Sequence, residues 1–385
     1  MVKRVASLVF NSFINDSRVL KEGLSLVKNG YEVEIIAHHD KDLAKEESQG
    51  GLVIKRLAYL DRTVTKSKIG KLKAYLSFLK ESVNYCKSFD ILHCHDINML
   101  PIAVIIKKYY NRDVKIVYDA HEYETETYAL SGIQKKITKL SEKHLIKYAN
   151  RVITVSDSIA NEYVKLYGIK KPALVLNAPP YKEVKKQDRF REEFGIEGKT
   201  IFLYQGGLGK NRGIELLLEV FKTIDNSESV MVFMGYGELE NLIIEASKES
   251  DNIYFHKAVS PTVLLDYTVS ADFGIATIED SCLSYRYCLP NKLFEYIMAE
   301  VPVIVSNLPE MSRVVKKRKI GVILEEETLQ GITKAIKQAV ALDKKLINKN
   351  LKKVKKIYNW EEQEKVLLKV YHNFCHLFLI VLFFV

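Results

Sequence analysis

The sequence has few of the features that mark secreted or membrane-spanning proteins. It carries five cysteines in 385 residues, an odd number without metal-ligand spacing, which fits a reducing cytosol better than a disulfide framework. After Lys3 and Arg4 only the short run VASLVF is apolar, which is too little for a signal peptide and is typical of a first strand. These absences argue against a secreted domain stabilised by disulfides.

The longest apolar run lies near the C-terminal end. Residues 374–385 are apolar except for His376. A helix of this length spans about 18 Å, which is short of the roughly 30 Å of a bilayer core. This tail either dips into one membrane leaflet or covers a hydrophobic groove, and the sequence leaves both interpretations open.

Positive charge is concentrated in the first half of the chain. The formal net charge is +10, and residues 1–182 hold 30 Lys and Arg against 20 Asp and Glu, whereas residues 183–385 hold 28 of each. A basic half indicates an anionic partner, such as nucleic acid, a membrane surface or an anionic substrate. No aromatic-interleaved basic sheet or nucleic-acid module is recognisable, so we expect no nucleic acid as a partner.

Apolar β-branched runs alternate with helical patterns, which predicts an α/β protein with two Rossmann-like, doubly wound parallel-sheet domains. The candidate strands cover residues 3–10, 31–37, 52–58, 90–95, 114–120, 151–156, 173–178, 200–206, 230–235, 252–256, 272–278 and 302–306. We predict an N-terminal domain over 1–178, a linker over 179–199, a C-terminal domain over 200–358, and a closing helix that can pack back on the N-terminal domain, with the apolar tail, over 359–385.

One basic segment stands out in the first half. Residues 62–87 contain seven basic residues and one acid. A basic amphipathic helix either lies on an anionic membrane surface or packs its apolar face on the core, and the positive first half favours the membrane. The apolar positions at helical spacing are Ile69, Leu72, Leu76, Leu79 and Val83.

A glycine-rich loop follows the first strand of the second half. In YQGGLGKNRG, residues 204–213, four glycines allow a ligand to approach the backbone, and Lys210 and Arg212 supply positive charge for a pyrophosphate. The loop matches neither a P-loop nor a dinucleotide fingerprint. A glycine turn with two solvated cations is therefore an equally good interpretation of the loop alone.

Two further strand–turn–helix junctions lie in the same half, at residues 234–242 and 289–306. The second begins a helix that places Asn291 and Lys292 on one face with Glu295. A helix N-terminus with a lysine suits phosphate, and turns at the carboxyl ends of parallel strands gather at one edge of the sheet. Three such turns, two with cations, predict a nucleotide-diphosphate ligand in the second domain.

Histidines mark two strand ends in the first half. His95 and His121 each close or follow a predicted strand, so we expect both at the carboxyl edge of the sheet. The sequence His93-Cys94-His95-Asp96 resembles part of a metal site, but no distant further ligand is identifiable, and we predict no bound metal. For His121 a structural role is the alternative to a functional one.

Taken together, these segments resemble the retaining glycosyltransferases of family 4, which have the GT-B fold. The resemblance extends over roughly residues 1–370 and depends on several motifs in one order. They are residues 15–37, 90–96, 117–122, 151–160, 204–221, 235–238, 290–306 and 359–371.

The resemblance implies two domains facing a cleft, with the sugar donor on the second domain and the acceptor on the first. It implies transfer from a nucleotide diphosphate with retention of configuration and without a metal cofactor, so that cations and a helix N-terminus stabilise the leaving diphosphate.

The same resemblance implies roles for individual residues. Arg212 matches the family's basic loop residue, Glu295 its ribose-binding glutamate and His121 the histidine beside the donor sugar, so these three are the implied catalytic residues. The main chain around Val259 would face the nucleobase. The implied donor-binding residues are Gly206, Gly207, Lys210, Arg212, Gly235, Val259, Asn291, Lys292, Leu293 and Glu295, and the implied acceptor-side residues are Asp16, Arg18 and His95.

The chain also departs from the family pattern. Tyr287 stands where a second glutamate often contacts the sugar, and Glu279 or Asp280 could take its place. Residues 15–18 replace a loop that is commonly glycine-rich, and Glu300 replaces a glycine that commonly ends the helix.

We therefore predict a cytoplasmic glycosyltransferase, peripheral on the inner face of the cell membrane, that moves sugar from a UDP- or GDP-sugar to a lipid-linked or surface-polysaccharide acceptor. A nucleotide-sugar epimerase of the same fold and a non-catalytic partner subunit are the alternatives. An epimerase would convert the donor without any acceptor, and the departure at Tyr287 is the main support for an inactive subunit.

Overall fold

The computed structural model describes residues 2–14, 16–59, 67–224, 228–372 and 374. The chain divides into two compact units. The first is built from two stretches, Met1–Val175 and Glu364–Val385, and the second is the single stretch Leu176–Gln363. Where the chain leaves and re-enters the first unit, the Leu176 N–H donates a hydrogen bond to Oε1 of Gln363 over 3.0 Å.

The first unit contains an eight-stranded sheet with helices between the strands. Its strands are β1 (Arg4–Leu8), β2 (Glu32–His39), β3 (Glu46–Gln49), β4 (Leu52–Tyr59), β5 (Ile91–His95), β6 (Lys115–Ala120), β7 (Arg151–Thr154) and β8 (Ala173–Leu174). Its helices are α1 (Ser17–Lys28), α2 (Lys68–Cys86), α3 (Leu100–Tyr109), α4 (Gly132–Leu145) and α5 (Asp157–Tyr167). The spatial order is β3-β4-β2-β1-β5-β6-β7-β8, and only the β3–β4 pair is antiparallel among these strands.

The second unit contains a six-stranded parallel sheet. Its strands are β9 (Thr200–Gly207), β10 (Ser229–Tyr236), β11 (Ile253–Lys257), β12 (Phe273–Ala276), β13 (Val303–Ser306) and β14 (Gly321–Leu324), in the order β11-β10-β9-β12-β13-β14. Its helices are α6 (Arg189–Phe194), α7 (Ile214–Thr223), α8 (Glu240–Glu249), α9 (Leu264–Thr268), α10 (Leu283–Arg286), α11 (Asn291–Met298), α12 (Pro309–Arg318), α13 (Leu329–Val340) and α14 (Lys344–Val354). The closing helix α15 (Trp360–His372) begins in the second unit and continues into the first.

The prediction of an α/β protein with two Rossmann-like, mostly parallel sheets is confirmed. Eleven of the twelve predicted strands form with small shifts at their ends. The strand predicted over 173–178 is reduced to the two residues of β8, and two strands were missed. β3 has the polar sequence EESQ and is fully exposed at the sheet edge, so it carries no apolar signal, and β14 has only four residues.

The region predicted to be a linker over 179–199 lies within the second unit. It contains α6, whose Phe190 is fully buried and contacts the rings of Phe194 and Tyr267 at centroid distances of 6.2 and 5.6 Å. This packing ties the segment to the core of the second unit, which its polar sequence did not indicate.

Helix α11 is held against one face of the second sheet. Its Tyr296 is fully buried and donates a hydrogen bond to the Leu203 carbonyl over 2.8 Å, and a methyl group at Gly274 would lie within 2.4 Å of its ring. At the end of α11, Glu300 adopts a φ of +57°, the left-handed conformation that favours glycine. Its carboxylate accepts a hydrogen bond from the buried Lys355 over 2.5 Å, which helps to hold this conformation.

The basic segment 62–87 becomes helix α2 from Lys68 onward, and residues 62–66 lie outside the described part of the chain, as does the tail from residue 375. Within α2 Val83 is buried, but Ile69, Leu72 and Leu76 are exposed rather than packed on the core. Among the residues that the structure describes, no helix is both long and apolar enough to cross a bilayer.

Candidate active site

Both sheets reverse their strand order once, between β1 and β5 in the first unit and between β9 and β12 in the second. In doubly wound sheets ligands bind outside the carboxyl ends of the strands at this point. The candidate residues form one cluster at this edge in each unit, and each cluster is described separately.

In the first unit, Asp119 is the centre of the cluster. It lies on β6 opposite His95 of β5, and its carboxylate is completely buried. Arg18 of α1 donates two hydrogen bonds to it, from Nε to Oδ2 over 2.9 Å and from Nη2 to Oδ1 over 2.8 Å. A third bond joins Arg18 Nη1 to the Val175 carbonyl over 2.8 Å. Burial alone would raise the pKa of Asp119, but Arg18 and His121 hold it well below its usual range.

His95 and His121 extend the cluster towards the surface. Nδ1 of His95 lies 3.0 Å from Nε2 of His121, and Nε2 of His95 lies 2.8 Å from the hydroxyl of Ser7. Nε2 of His121 is 3.3 Å from Asp119 Oδ2, and Nδ1 is 3.6 Å from Asp96 Oδ1. Burial opposes a charge on His121, but Asp96 and Asp119 together raise its pKa to about 9, so it is protonated at neutral pH.

Asp16 supports this cluster through the backbone. Its Oδ1 accepts the N–H of Val19 over 3.2 Å and caps α1, and its Oδ2 accepts a hydrogen bond from Asn11 over 3.0 Å. The cap fixes the start of the helix that carries Arg18. Asp16, Arg18, His95 and His121 therefore belong to one connected region of the first unit.

Two side chains that the sequence did not connect complete the cluster. Glu22 lies 3.2 Å from Nε of Arg18, and its Oε2 lies 3.6 Å from Nε2 of His93, with all three groups buried. Burial and the neighbouring Asp119 raise the pKa of Glu22 to about 8. Nδ1 of His93 lies 2.8 Å from the hydroxyl of Tyr371 on α15.

This part of the cluster corrects one sequence inference. We found no distant partner for His93 and His95, whereas Glu22 and Asp119 offer atoms that lie with theirs within 4.8 Å of one another. Such a set of carboxylates and imidazoles could hold a metal ion. Arg18 already places a positive charge beside both carboxyl groups, where it forms an ion pair with Asp119 and lies 3.2 Å from Glu22.

In the second unit, the glycine-rich loop after β9 packs tightly against the turn after β10. Gly206 has a φ of +104°, and a methyl group at Gly235 would lie 1.9 Å from its carbonyl oxygen, so the close approach requires glycine there. Gly206 and Gly207 are exposed at the end of the strand, which leaves their backbone open to a ligand.

The two loop cations differ in their surroundings. Lys210 is exposed, and its backbone N–H donates to Glu238 over 3.0 Å. Arg212 is half-buried, with its guanidinium 5.0 Å from the centre of the Tyr285 ring, and its carbonyl accepts a hydrogen bond from Thr277 over 2.7 Å. The structure therefore fixes Arg212 and leaves Lys210 in solvent.

Lys292, on the first turn of α11, is the most unusual of the predicted residues. Its side chain is buried, and its ammonium has no hydrogen-bond partner among the described residues. The ammonium lies 3.3 Å from the centre of the Tyr204 ring, and its Cε is 3.9 Å from where a side chain would begin at Gly206. Burial and the nearby Arg212 lower its pKa well below the usual value, while Glu295 acts in the opposite direction.

The carboxylate of Glu295 is positioned by residues that the sequence did not single out. Gln205 Nε2 donates to Glu295 Oε2 over 2.5 Å, and Gln205 Oε1 accepts from the hydroxyl of Thr268 over 2.9 Å. Gln205 and Thr268 are both buried. The position of Gln205 directly before the glycine-rich loop is a sequence signal that could have indicated it, but nothing in the sequence indicated its Thr268 partner.

The remaining residues that were predicted at the donor site lie in different surroundings. Asn291 is exposed at the start of α11, whereas the side chain of Leu293 is fully buried in the hydrophobic core and its N–H donates to the Pro290 carbonyl over 3.0 Å. Val259 is half-buried and packs against the same core. Tyr287, which replaces the second family glutamate, is also half-buried.

The two acids suggested as substitutes for that glutamate have other partners. Oε1 of Glu279 accepts the N–H of Gly213 at the start of α7 over 3.3 Å, and Asp280 forms an ion pair with Arg286 over 2.8 Å. The structure therefore brings Gly206, Arg212, Lys292 and Glu295 together, and it leaves Glu279 and Asp280 in separate contacts.

Each half of the chain matches a known glycosyltransferase family. Residues 19–177 match the family described as Glycosyltransferase Family 4, and residues 186–359 match the family described as Glycosyl transferases group 1. The chain is 22% identical over 370 residues to the putative glycosyltransferase YtcC of Bacillus subtilis, covering 89% of this chain and 84% of the relative. It is 23% identical over 259 residues to a chitobiosyldiphosphodolichol beta-mannosyltransferase of Candida albicans, covering 61% of this chain and only 56% of that relative.

Solved structures share the fold at low identity. The sucrose-phosphate synthase of Thermosynechococcus elongatus superposes with a TM-score of 0.78 at 17% identity, covering 96% of this chain and 98% of that one. HepE of Anabaena, solved in complex with UDP and glucose, superposes with a TM-score of 0.72 at 11% identity, covering 96% of this chain and all of that one.

Proposed function

Because the chain belongs to the family 4 glycosyltransferases and has their GT-B fold, we propose a specific reaction for it. The enzyme transfers a sugar from a UDP- or GDP-sugar to a lipid-linked or surface-polysaccharide acceptor, with retention of the anomeric configuration and without a metal cofactor. The acceptor class is supported by the Candida albicans relative, whose name contains a diphosphate-linked lipid.

The observation that carries the donor assignment is the buried ammonium of Lys292. A buried cation without a hydrogen-bond partner costs free energy, and here a second cation, Arg212, acts on it unfavourably. A diphosphate placed between Lys292, Arg212 and the exposed backbone of Gly206 would supply both the charge and the hydrogen-bond acceptors that the protein lacks. The N-terminus of α11, where Lys292 and Asn291 lie, adds the favourable end of a helix dipole.

The same residues give a physical basis for catalysis. When the sugar–phosphate bond breaks, negative charge increases on the leaving diphosphate, and cations held in advance stabilise that charge more than the starting state. Glu295, held by Gln205, presents a carboxylate that can accept hydrogen bonds from the two ribose hydroxyls of the nucleotide.

We propose retention of the anomeric configuration partly because of the protonation state of His121. An inverting transfer needs a general base to take the proton of the acceptor hydroxyl. His121 is protonated at neutral pH because Asp96 and Asp119 raise its pKa to about 9, so it is suited to donate a hydrogen bond rather than to accept a proton. In the proposed reaction His121 acts as a hydrogen-bond donor and not as a general base.

We also propose that the enzyme works on the cytoplasmic face of the membrane. Helix α2 exposes Ile69, Leu72 and Leu76, and it exposes Lys71 and Lys73 as well. Exposed apolar and basic residues on one helix suit an anionic lipid surface, where a lipid-linked acceptor would be met. Sedimentation with anionic vesicles over a range of salt concentrations tests this part, and an absence of binding at low salt would contradict it.

A panel of nucleotide sugars tests the donor assignment. Binding of the correct nucleotide raises the melting temperature by mass action, and the Arg212→Ala and Glu295→Ala variants should lose that shift. Conversion of a nucleotide sugar without any acceptor would instead identify an epimerase. No shift with any UDP- or GDP-sugar would contradict the proposed function and favour a non-catalytic subunit.

Product stereochemistry tests the mechanism separately. Once a donor and acceptor are found, the anomeric coupling constant of the product, measured by NMR before mutarotation, distinguishes retention from inversion. An inverted product would overturn the proposed mechanism while leaving the donor assignment intact.

A further inference from the structure

Helix α4 presents its apolar residues to solvent instead of to the core. Ile133, Ile137 and Leu140 are 77%, 60% and 59% exposed. Their spacing of four and three residues places them in one stripe along the helix. We call this set of three residues the α4 stripe.

The opposite face of α4 is the one that packs on the protein. There Glu142 is buried, and its carboxylate accepts hydrogen bonds from the hydroxyls of Tyr118 and Tyr163 over 2.6 and 2.8 Å, and from Tyr167 over 2.5 Å. The helix is thus anchored through a polar contact, which turns its apolar stripe outward. A helix that only covered a core would bury its apolar residues and expose its charged ones.

The exposed charged residues of α4 itself are all lysines. Helix α4 has four lysines and one acid, and that acid is the buried Glu142. Lys135 and Lys139 form ion pairs with Glu126, whereas Lys136 and Lys143 are exposed along one flank of the stripe. The outward surface of α4 therefore combines apolar side chains with basic ones and has no carboxylate.

The position of α4 in the fold matches that of α2. Helix α3 packs against both α2 and α4, and right-handed crossovers place all three on one face of the first sheet. Helices α2 and α4 each follow a parallel strand and so begin at the carboxyl edge where His95 and His121 lie, and both expose apolar residues. Tyr128, in the segment before α4, is 62% exposed and is a residue type favoured at membrane interfaces.

From these observations we propose that α4 inserts its stripe into an anionic lipid surface, with Lys136 and Lys143 at the headgroups. This rests on the proposed membrane-bound function but assigns the contact to residues that the proposal for α2 does not involve. A lipid surface fits the stripe because it accepts three aligned apolar residues without a shaped pocket, and because its negative charge complements the exposed lysines.

The test compares two triple variants of the full chain in sedimentation with vesicles of phosphatidylcholine and phosphatidylglycerol. The first variant is Ile133→Ser/Ile137→Ser/Leu140→Ser. The control is Leu242→Ser/Val340→Ser/Leu346→Ser, which removes three exposed apolar residues from the second unit. We expect the first to lower the partition coefficient about tenfold or more and the control to leave it within about twofold.

A charge variant separates the lipid headgroups from the apolar contact. Lys136→Gln/Lys143→Gln should weaken binding to anionic vesicles by about fivefold per lysine at low salt and have little effect on pure phosphatidylcholine. Because all substituted residues are exposed, the variants should keep the parent melting temperature, which is measured in parallel.

Two outcomes overturn the inference. One is vesicle binding by the stripe variant that equals the parent's. The other is a concentration-dependent dimer of the parent without vesicles that the stripe variant abolishes, which would assign the stripe to contact between two copies.

Thermal shift with UDP and GDP reports on the donor site separately. If UDP or GDP raises the melting temperature and the stripe variant still binds vesicles as the parent does, only this inference is wrong. If the stripe variant loses vesicle binding but neither UDP nor GDP raises the melting temperature of the parent, the proposed reaction is wrong instead.

Discussion

The buried cations of the two candidate clusters differ in their hydrogen-bond partners. In the first unit, Arg18 donates to Asp119 and to a backbone carbonyl, and its Nε lies 3.2 Å from Glu22. In the second unit, the ammonium of the buried Lys292 lies against an aromatic ring and has no hydrogen-bond partner among the described residues. The first cation is hydrogen-bonded within a network, whereas the second has only the electrostatic influence of Glu295 in its favour and that of Arg212 against it.

The difference separates structural charge from charge available to a ligand. A buried charge with partners holds its neighbours in one arrangement, and removing it leaves those neighbours unpaired. A buried charge without partners destabilises the protein until a ligand pairs with it. Burial by itself therefore does not identify a binding residue, whereas a buried charge without a hydrogen-bond partner is a candidate for one.

The largest effect on stability is expected from a substitution in the first cluster. Arg18→Met should lower the free energy of unfolding by about 3–5 kcal/mol, because Asp119 would remain buried without its main partner. Hydrogen exchange of the β5 and β6 amides reports this locally. The matched control is Lys292→Met, which should leave stability unchanged or raise it. Equal losses in the two variants would show that the clusters do not differ in this way.

The next effect concerns activity in the second cluster. Lys292→Met should lower kcat/KM about 100- to 1,000-fold, because the leaving diphosphate loses a buried cation. Lys210→Met, which removes an exposed lysine from the same region, should have a much smaller effect.

The pKa of Lys292 is lowered in the free protein and a bound diphosphate would raise it, so nucleotide binding should take up protons at pH values between these two pKa values. Calorimetry in two buffers of different ionisation enthalpy measures that uptake. Proton uptake that persists in Lys292→Met would assign it to another group.

A smaller effect is expected in the pH dependence of stability. The folded protein keeps a proton on Glu22 up to a pKa of about 8 and on His121 up to about 9, above the unfolded values of 4.5 and 6.5. A folded state that binds more protons loses stability as the pH rises, by about 1.4 kcal/mol per pH unit for each group.

Between pH 6.5 and 8 both groups lower the free energy of unfolding as the pH rises. Glu22→Gln should therefore roughly halve the slope of this free energy against pH across this window. Urea unfolding at several pH values measures the slope. Parallel slopes in the parent and the variant would mean that Glu22 is not protonated in the folded state.

The smallest effect tests how Glu295 is held. Thr268→Val removes the hydroxyl that donates to Gln205 while keeping the shape of the side chain. The lost hydrogen bond is worth about 1 kcal/mol, so KM for the donor should rise about fivefold with little change in kcat. A fall in kcat with an unchanged KM would instead place this contact at the reacting carbon.

The sequence predicted the sheets well because buried parallel strands consist of continuous β-branched runs. It failed at β3, whose residues are all polar and whose pairing depends only on the neighbouring β4. It also placed Lys292 near Glu295 correctly, because three residues along a helix fix a face. It could not predict that Lys292 would be buried, since that depends on Tyr204, far away along the chain.

Contacts between distant residues account for the other omissions. Gln205 was not singled out because its partners, Thr268 and Glu295, lie 63 and 90 residues away. The orientation of α4 was equally hidden, because helical spacing identifies an apolar stripe but not whether the stripe faces the core. Only the tyrosine contacts of Glu142 decide that.

The first unit is assembled from two separated stretches of chain, and this has a consequence for synthesis on the ribosome. The second unit is one continuous stretch from Leu176 to Gln363, so all of it is available before the greater part of the last helix is made. The first unit must wait for the part of α15 that brings Tyr371 to His93. We therefore expect the part translated later to fold first, with the earlier part held incomplete until its closing helix emerges.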